Sequence, residues 1–432
     1  MLKYLQQIWK TKDLRNKILY TIGILVLYRA FVQISIPGIN LANLAALFDT
    51  AAGGALGAFS LLTGGSAENF SIVLMGLSPY INASIIMQLL TVVIPSLEAL
   101  KKEGQQGQVK ISKYTNWLTV PLAFVQSYGM LVLINSSAGS LPVIENIRDP
   151  LLVLPIMVTI TAGTMLLVWL GNLITEKGIG NGISLIIMVS ILGGLAPMIS
   201  SSMQVVGQDS SKLLPIAAIA IFGILLTILI VIVNESYKNI PISYGGRGQK
   251  LRQHFLPLRL NQAGMIPIIF AVSLIAFPSV LAQFLQNSDS TIMQGVATFI
   301  ATHFGQTGPL YMAIYFLLIL GFTFFYVSIT FNPEQMAESI QKRGGFVPGL
   351  RPGKATSDYL ERLSNRLTMF GGIFLAFVAV APMIAQSLTS QGGGAVPVLV
   401  SGAGLIIVVG VTLDLMRQIS AQLAMHNYDK FY

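Results

Sequence analysis

Apolar residues along this chain neither alternate nor recur in narrow amphipathic stripes. They come in unbroken runs of about 20, the length that crosses the hydrocarbon core of a bilayer as a helix. Ten runs can be read, at 18–34, 70–94, 114–134, 151–173, 183–200, 213–234, 262–284, 309–331, 366–386 and 397–416. The connection between the first two, 35–69, contains ALGAFSLLTGG at 55–65, bracketed by Gly53–Gly54 and Gly64–Gly65. That piece is greasy, yet about half the length a span requires. The pattern predicts an all-α integral membrane protein with ten transmembrane helices and a short re-entrant segment at about 55–66.

Composition agrees. The 432 residues are 53% hydrophobic and 10% charged, where a soluble protein would carry roughly 25% charged residues. Met1–Lys17 is polar and basic, and the run after it is too long for a signal-peptide core, so no cleavable leader is expected. The absence of cysteine excludes disulfides and thiolate metal sites. The net charge of +9 matters less than its distribution. With the N-terminus inside, all but three of the 26 Lys and Arg residues fall on the inner side; the exceptions are Arg29, Arg148 and Lys212. The positive-inside rule then predicts cytoplasmic N- and C-termini and an even number of spans. Five spans lie in 1–200 and five in 201–432. An odd number per half sets the second half upside down relative to the first, the inverted layout of many transport proteins. The main cytoplasmic loops are expected at about 235–260 and 332–365.

The missing chemistry narrows the function. No GxxxxGK[ST] phosphate loop is present, and the three histidines, His254, His303 and His426, form no HExxH. No catalytic group, metal site or cofactor is expected. A coupled transporter normally buries carboxylates near the bilayer midplane. Every Asp and Glu here falls in a loop or at a span end, Asp414 near the end of span 10 included. The reading is a passive conduit driven from outside; a secondary transporter of small solutes is the alternative. Arg29, inside span 1, is the odd charge, open to a functional role or to capping backbone carbonyls.

Five stretches stand out. MGLSPYINASIIMQLL (75–90) places Pro79, Asn82, Ser84 and Gln88 in span 2, with Leu77 and Ile81 one turn apart. Pro79 should interrupt the helical ladder, and the polar groups should face other helices or water. ITEKGIGNGISLII (174–187) surrounds Asn181 with glycines and sets Ile183 and Ile187 one turn apart. LNQAGMIPIIF (260–270) opens span 7 with the small pair Ala263–Gly264 and with Pro267, which should permit bending. KRGGFVPGLRPGKAT (342–356) and KKEGQQGQVKISK (101–113) are basic loops suited to a phosphate-rich or acidic partner.

Together, in this order, these stretches resemble the SecY family, the central channel subunit of the bacterial Sec translocase. The resemblance covers nearly the whole chain. It implies a channel in the bacterial cytoplasmic membrane that passes secretory polypeptides across and releases hydrophobic segments sideways into lipid. Carried over motif by motif, it implies a constriction formed by Leu77, Ile81, Ile183, Ile187, Ile269 and Ile407. Aliphatic side chains there would tolerate any peptide while excluding ions by dewetting. It implies a plug that includes Ala55, Leu56, Phe59, Leu61, Leu62 and Gly64, and a lateral gate between spans 2 and 7 with Asn82, Gln126, Asn261 and Phe277. It implies docking through Arg247, Lys250, Arg252 and Arg351. The implied partners are the small subunits SecE and SecG, the SecA motor ATPase, the ribosome, signal sequences with their secretory polypeptides, and membrane lipids. The 6–7 loop, ISYGGRGQKLRQHFLPLRLN, is shorter and less basic than the family pattern.

Overall fold

The computed structural model describes residues 10–51, 64–137, 143–144, 149–208, 213–244, 252–275, 294–295, 298, 300, 308–390 and 401–429. A helix stands at each of the ten expected positions. These are α1 (Lys12–Val32), α3 (Ser78–Val93), α5 (Gln105–Ser137), α6 (Pro150–Lys177), α7 (Gly182–Gln208) and α8 (Leu213–Asn234), followed by α9 (Ile266–Ile275), α10 (Pro309–Thr330), α12 (Lys354–Ser390) and α13 (Gly402–Asp429). Shorter helices lie between them: α2 (Leu41–Ala51), α4 (Pro95–Lys102) and α11 (Pro333–Lys342). Among the described residues six helices are long and apolar enough to cross a membrane: α5, α6, α8, α10, α12 and α13. The pair α3–α4, bent by 100° at Ile94, would make a seventh if it is one broken span. The bend has a local cause, since Pro95 disfavours helical backbone at Ile94, which is extended at φ −100° and ψ 112°.

Two expected spans begin later than the hydropathy suggests, and for the same reason. Span 2 was expected from residue 70, but 64–77 forms turns and α3 starts at Ser78. Span 7 was expected from 262, and α9 starts at Ile266. Pro79 and Pro267 each stand second in their helix, where the missing N–H has no intrahelical partner to lose. Both prolines therefore start a helix rather than interrupting one. Before α3 the chain is held by backbone pairing: Ser35 bridges Ser71, Ile36 N–H donates to the Phe70 carbonyl and Ile72 N–H to the Ile34 carbonyl.

The helical architecture carries one small sheet. The loops expected at 235–260 and 332–365 build a three-stranded antiparallel sheet in the order β2–β1–β3, from β1 (Tyr237–Tyr244), β2 (Arg252–Arg259) and β3 (Gly345–Phe346). Tyr237 faces Arg259 and Tyr244 faces Arg252, while Ser243 faces Phe346. The signal was present: Ile240 and Ile242 alternate with Pro241 and Ser243, and both isoleucines are buried. The two loops become one body through a core of Ile240, Leu258, Val347 and Leu360, flanked by Met336 of α11 and Leu363 of α12.

The core of the helical part is split. One cluster lies among α2, α5, α6 and the 64–77 turns, with Phe70, Leu131 and Ile160 fully buried. A second joins α8, α9, α10, α12 and α13 around Tyr315 and Leu375. A third lies between them and draws on both halves of the chain.

Candidate functional site

The third cluster contains all six residues expected to form the constriction. Leu77 and Ile407 are buried in it, and Ile81, Ile183, Ile187 and Ile269 pack against it while only half-buried. They come from four regions far apart in sequence: the start of α3 (Leu77 and Ile81), α7, α9 and α13. Leu77 is the N-cap of α3, and its carbonyl accepts from Ile81 N–H at 3.0 Å, so the two residues share the first helical hydrogen bond.

The glycine-rich approach to α7 is what positions Ile183 and Ile187. Asn181 caps the helix: its Oδ1 accepts from Ser184 N–H at 3.2 Å and its carbonyl from Leu185 N–H at 3.0 Å. Thr175 Oγ1 of α6 accepts from Gly182 N–H at 2.9 Å. A β-carbon on Gly182 would run into the carbonyl of Gly171, and one on Gly171 would come within 2.9 Å of Ile183 Cγ1. The glycines therefore allow α6 and α7 to touch backbone to backbone. On the other side Thr412 of α13 reaches Met188 Sδ of α7 at 3.6 Å.

Of the residues expected in the plug, Ala55, Leu56, Phe59, Leu61 and Leu62 lie outside the described residues. Gly64 is described, and it accounts for Arg29. That arginine lies in the last turn of α1, and its Nη1 donates to the Gly64 carbonyl at 2.9 Å. Gly64 has φ +69°, and a β-carbon there would come within 2.6 Å of the Ser190 carbonyl of α7. Gly193, also on α7, leaves the space that the Arg29 guanidinium occupies. One residue before Arg29, Tyr28 is buried and its hydroxyl bonds Ser190 Oγ. Arg29 thus caps a backbone carbonyl, the second of its two sequence readings.

The residues expected at the lateral gate are not joined to one another. Asn82 of α3 is half-buried with no side-chain partner among the described residues. Gln126 of α5 carries a buried, unpartnered Oε1. Asn261 is 4% exposed and already committed: its Nδ2 donates to Asn234 Oδ1 at 2.8 Å, and its Oδ1 accepts from Gly264 N–H at 3.0 Å. Phe277 lies outside the described residues. One bond does cross from the first half to the second on this side, from Lys101 Nζ of α4 to the Ile329 carbonyl of α10 at 3.4 Å.

Of the docking residues, Arg247 and Lys250 lie outside the described residues, and Arg252 opens β2. Arg351 is exposed in the turn after β3; its carbonyl accepts from Thr356 Oγ1 at 3.0 Å, and the buried Val347 anchors that turn. Sequence reasoning missed a group beside this sheet. Arg417, counted above only as an inner-side charge, bonds Glu235 and Asp414. Its signal was modest: Asp414 and Arg417 stand three apart on one helix face.

No cluster of histidine, aspartate or glutamate suited to a metal ion occurs among the described residues. What the arrangement offers is an apolar junction of several helices with a rigid basic body attached to their ends.

Comparison with known proteins gives this arrangement its family. The SecY family model matches residues 71–416. The protein translocase subunit SecY of Streptomyces griseus is 40% identical, with 98% of each chain covered. That of Corynebacterium glutamicum is 38% identical over 98% of each chain. Among solved structures, one described as a protein-conducting channel is similar at TM-score 0.63 and 19% identity, covering 94% of this chain and 91% of the other. A SecY structure concerned with the plug domain gives TM-score 0.64 at 22% identity with the same coverage. The fold is that of these channels, and the chain belongs to the SecY family.

Proposed function

We propose that this chain is the channel subunit of a protein translocase, carrying unfolded polypeptides across a bacterial cytoplasmic membrane and releasing hydrophobic segments into lipid. The observation that carries the reading is the gathering of Leu77, Ile81, Ile183, Ile187, Ile269 and Ile407 into one apolar cluster while four of them stay half-buried. Packing alone would bury them; lining a passage leaves them partly open. Such a ring offers no fixed hydrogen-bond partner, so it excludes ions by dewetting and accepts any side chain that is pushed through.

On this reading the chain crosses the membrane ten times in two inverted halves, 1–200 and 201–432, with both termini in the cytoplasm, as the lysine and arginine distribution supports. The sheet body with Arg351 then faces the cytoplasm, where a motor ATPase such as SecA or a ribosome docks; a related channel has been solved in a canine ribosome complex. SecE and SecG are the expected membrane partners. The lateral opening lies between α3 and α9; Asn82 of α3 and Gln126 Oε1 of the neighbouring α5 have no side-chain partner among the described residues. No step on this path requires catalysis by the chain itself.

The test is reconstitution into liposomes with the small subunits, the motor, ATP and a secretory precursor. Protease-protected precursor inside the vesicles is the expected result. Vesicles that take up no precursor but accumulate a small solute against its gradient would replace this reading with that of a transporter.

A further inference from the structure

We propose that Arg417, together with Asp414 on the same turn, clasps the two roots of the β1–β2 hairpin to α13, so that force applied to the hairpin reaches the helix that carries Ile407. The inference rests on the reading of the hairpin body as the cytoplasmic docking face. Arg417 lies ten residues beyond Ile407 on α13, about 15 Å along the helix.

The geometry is that of a single guanidinium spanning several elements. Nη2 donates to Glu235 Oε1 at 2.6 Å and to the Asn234 carbonyl at 3.2 Å, where α8 ends and the chain enters β1. The guanidinium carbon lies 5.9 Å from the ring centre of Tyr237, the first residue of β1. Nη1 donates to Asp414 Oδ1 at 3.3 Å, and the same oxygen pairs with Arg259 Nη1 at 3.8 Å. Arg259 is the last residue of β2. The strand that leaves the membrane and the strand that returns thus converge on one turn of α13. The network extends further, since the Asn234 side chain also accepts from Asn261, which is locked to Gly264 just ahead of α9. Helices α9 and α13, each carrying an isoleucine of the apolar cluster, meet at this node.

Surface ion pairs are usually inert, and these side chains are partly open, at 27% exposure for Arg417 and 44% for Glu235. Two features set this group apart. A planar guanidinium uses both arms at once, which fixes direction as well as distance. Its partners Asn234, Glu235 and Tyr237 also form the entering root of the hairpin, while Asp414 beside it holds the returning root at Arg259; the far face of the hairpin is held by an apolar core, so the hairpin moves as a body. Partial exposure places the effect in coupling rather than in folding. The expected signature is a translocase that assembles and binds its motor normally but converts motor work into transport poorly.

The experiment uses the full chain, reconstituted with its small subunits. Arg417→Met should leave motor affinity at the wild-type value and lower precursor transported per ATP by roughly fivefold, the low end of measured site-to-site couplings. Glu235→Gln should act in the same direction, and it serves if Arg417→Met fails to accumulate. The background contains no cysteine, so Glu235→Cys combined with Arg417→Cys can be joined by a short bismaleimide. The crosslink should restore transport, while a monofunctional maleimide should not. The clasp is refuted if either single variant transports like wild type, if motor affinity falls in step with transport, or if the crosslinked pair stays slow. Wild-type protein that fails to transport would instead refute the channel reading.

Discussion

Two apolar clusters in this molecule are built from the same residue types and differ in how far they are covered. In the basic body, Ile240, Leu258, Val347 and Leu360 are buried on every side. At the junction of the helices, Ile81, Ile183, Ile187 and Ile269 are as apolar but only half-covered. Full burial supplies stability through area removed from water and through close packing. Half-burial inside a bundle supplies less of both and leaves a surface free to meet something else. On the proposed reading, exposure rather than composition separates the core from the lining.

That contrast can be broken by mutation. Leu360→Ala should have the largest effect on folding, about 3 kcal/mol, because it empties a site that is 0% exposed. Thermal unfolding of the detergent-solubilised protein measures it, and the resting ion permeability of whatever folds should stay at the wild-type level. Ile187→Asn should do the reverse. Its cost to stability is about 1 kcal/mol, since the side chain is half-buried, but the resting protein in liposomes should conduct ions. A variant as tight as wild type would remove Ile187 from the lining. The smallest effect on folding belongs to Arg351→Glu, within about 0.5 kcal/mol because the side chain is exposed and forms no ion pair among the described residues. There the readout is partner affinity, which should fall, with the deficit fading as salt screens the contact. Unchanged binding of both motor and ribosome would remove Arg351 from the docking face.

The same contrast accounts for what could be seen in advance. Spans are legible because a bilayer demands a contiguous apolar run, and that demand is one-dimensional. Their exact starts were less so: hydropathy continued through 70–77 and 262–265, where backbone turns, not polarity, delay the helix. The small sheet was missed because its two loops lie about 100 residues apart, and the two residues of β3 have no strand pattern of their own. Asn261 was expected as a polar residue of the lateral gate; its partner, Asn234, is 27 residues earlier.

What the sequence by itself determined is the class of molecule: a bilayer-spanning helical chain with motifs of one family in order. These follow from local composition and spacing, and each can be read without knowing what touches what. The tertiary structure decided the rest. It brought six aliphatic residues from four separate regions into one cluster. It made the glycines around Asn181 a close helix crossing, set Arg29 on the Gly64 carbonyl and placed Arg417 and Asp414 at the two roots of a hairpin. Each of these is a meeting of side chains distant along the chain, and only packing, which acts through space, selects such meetings.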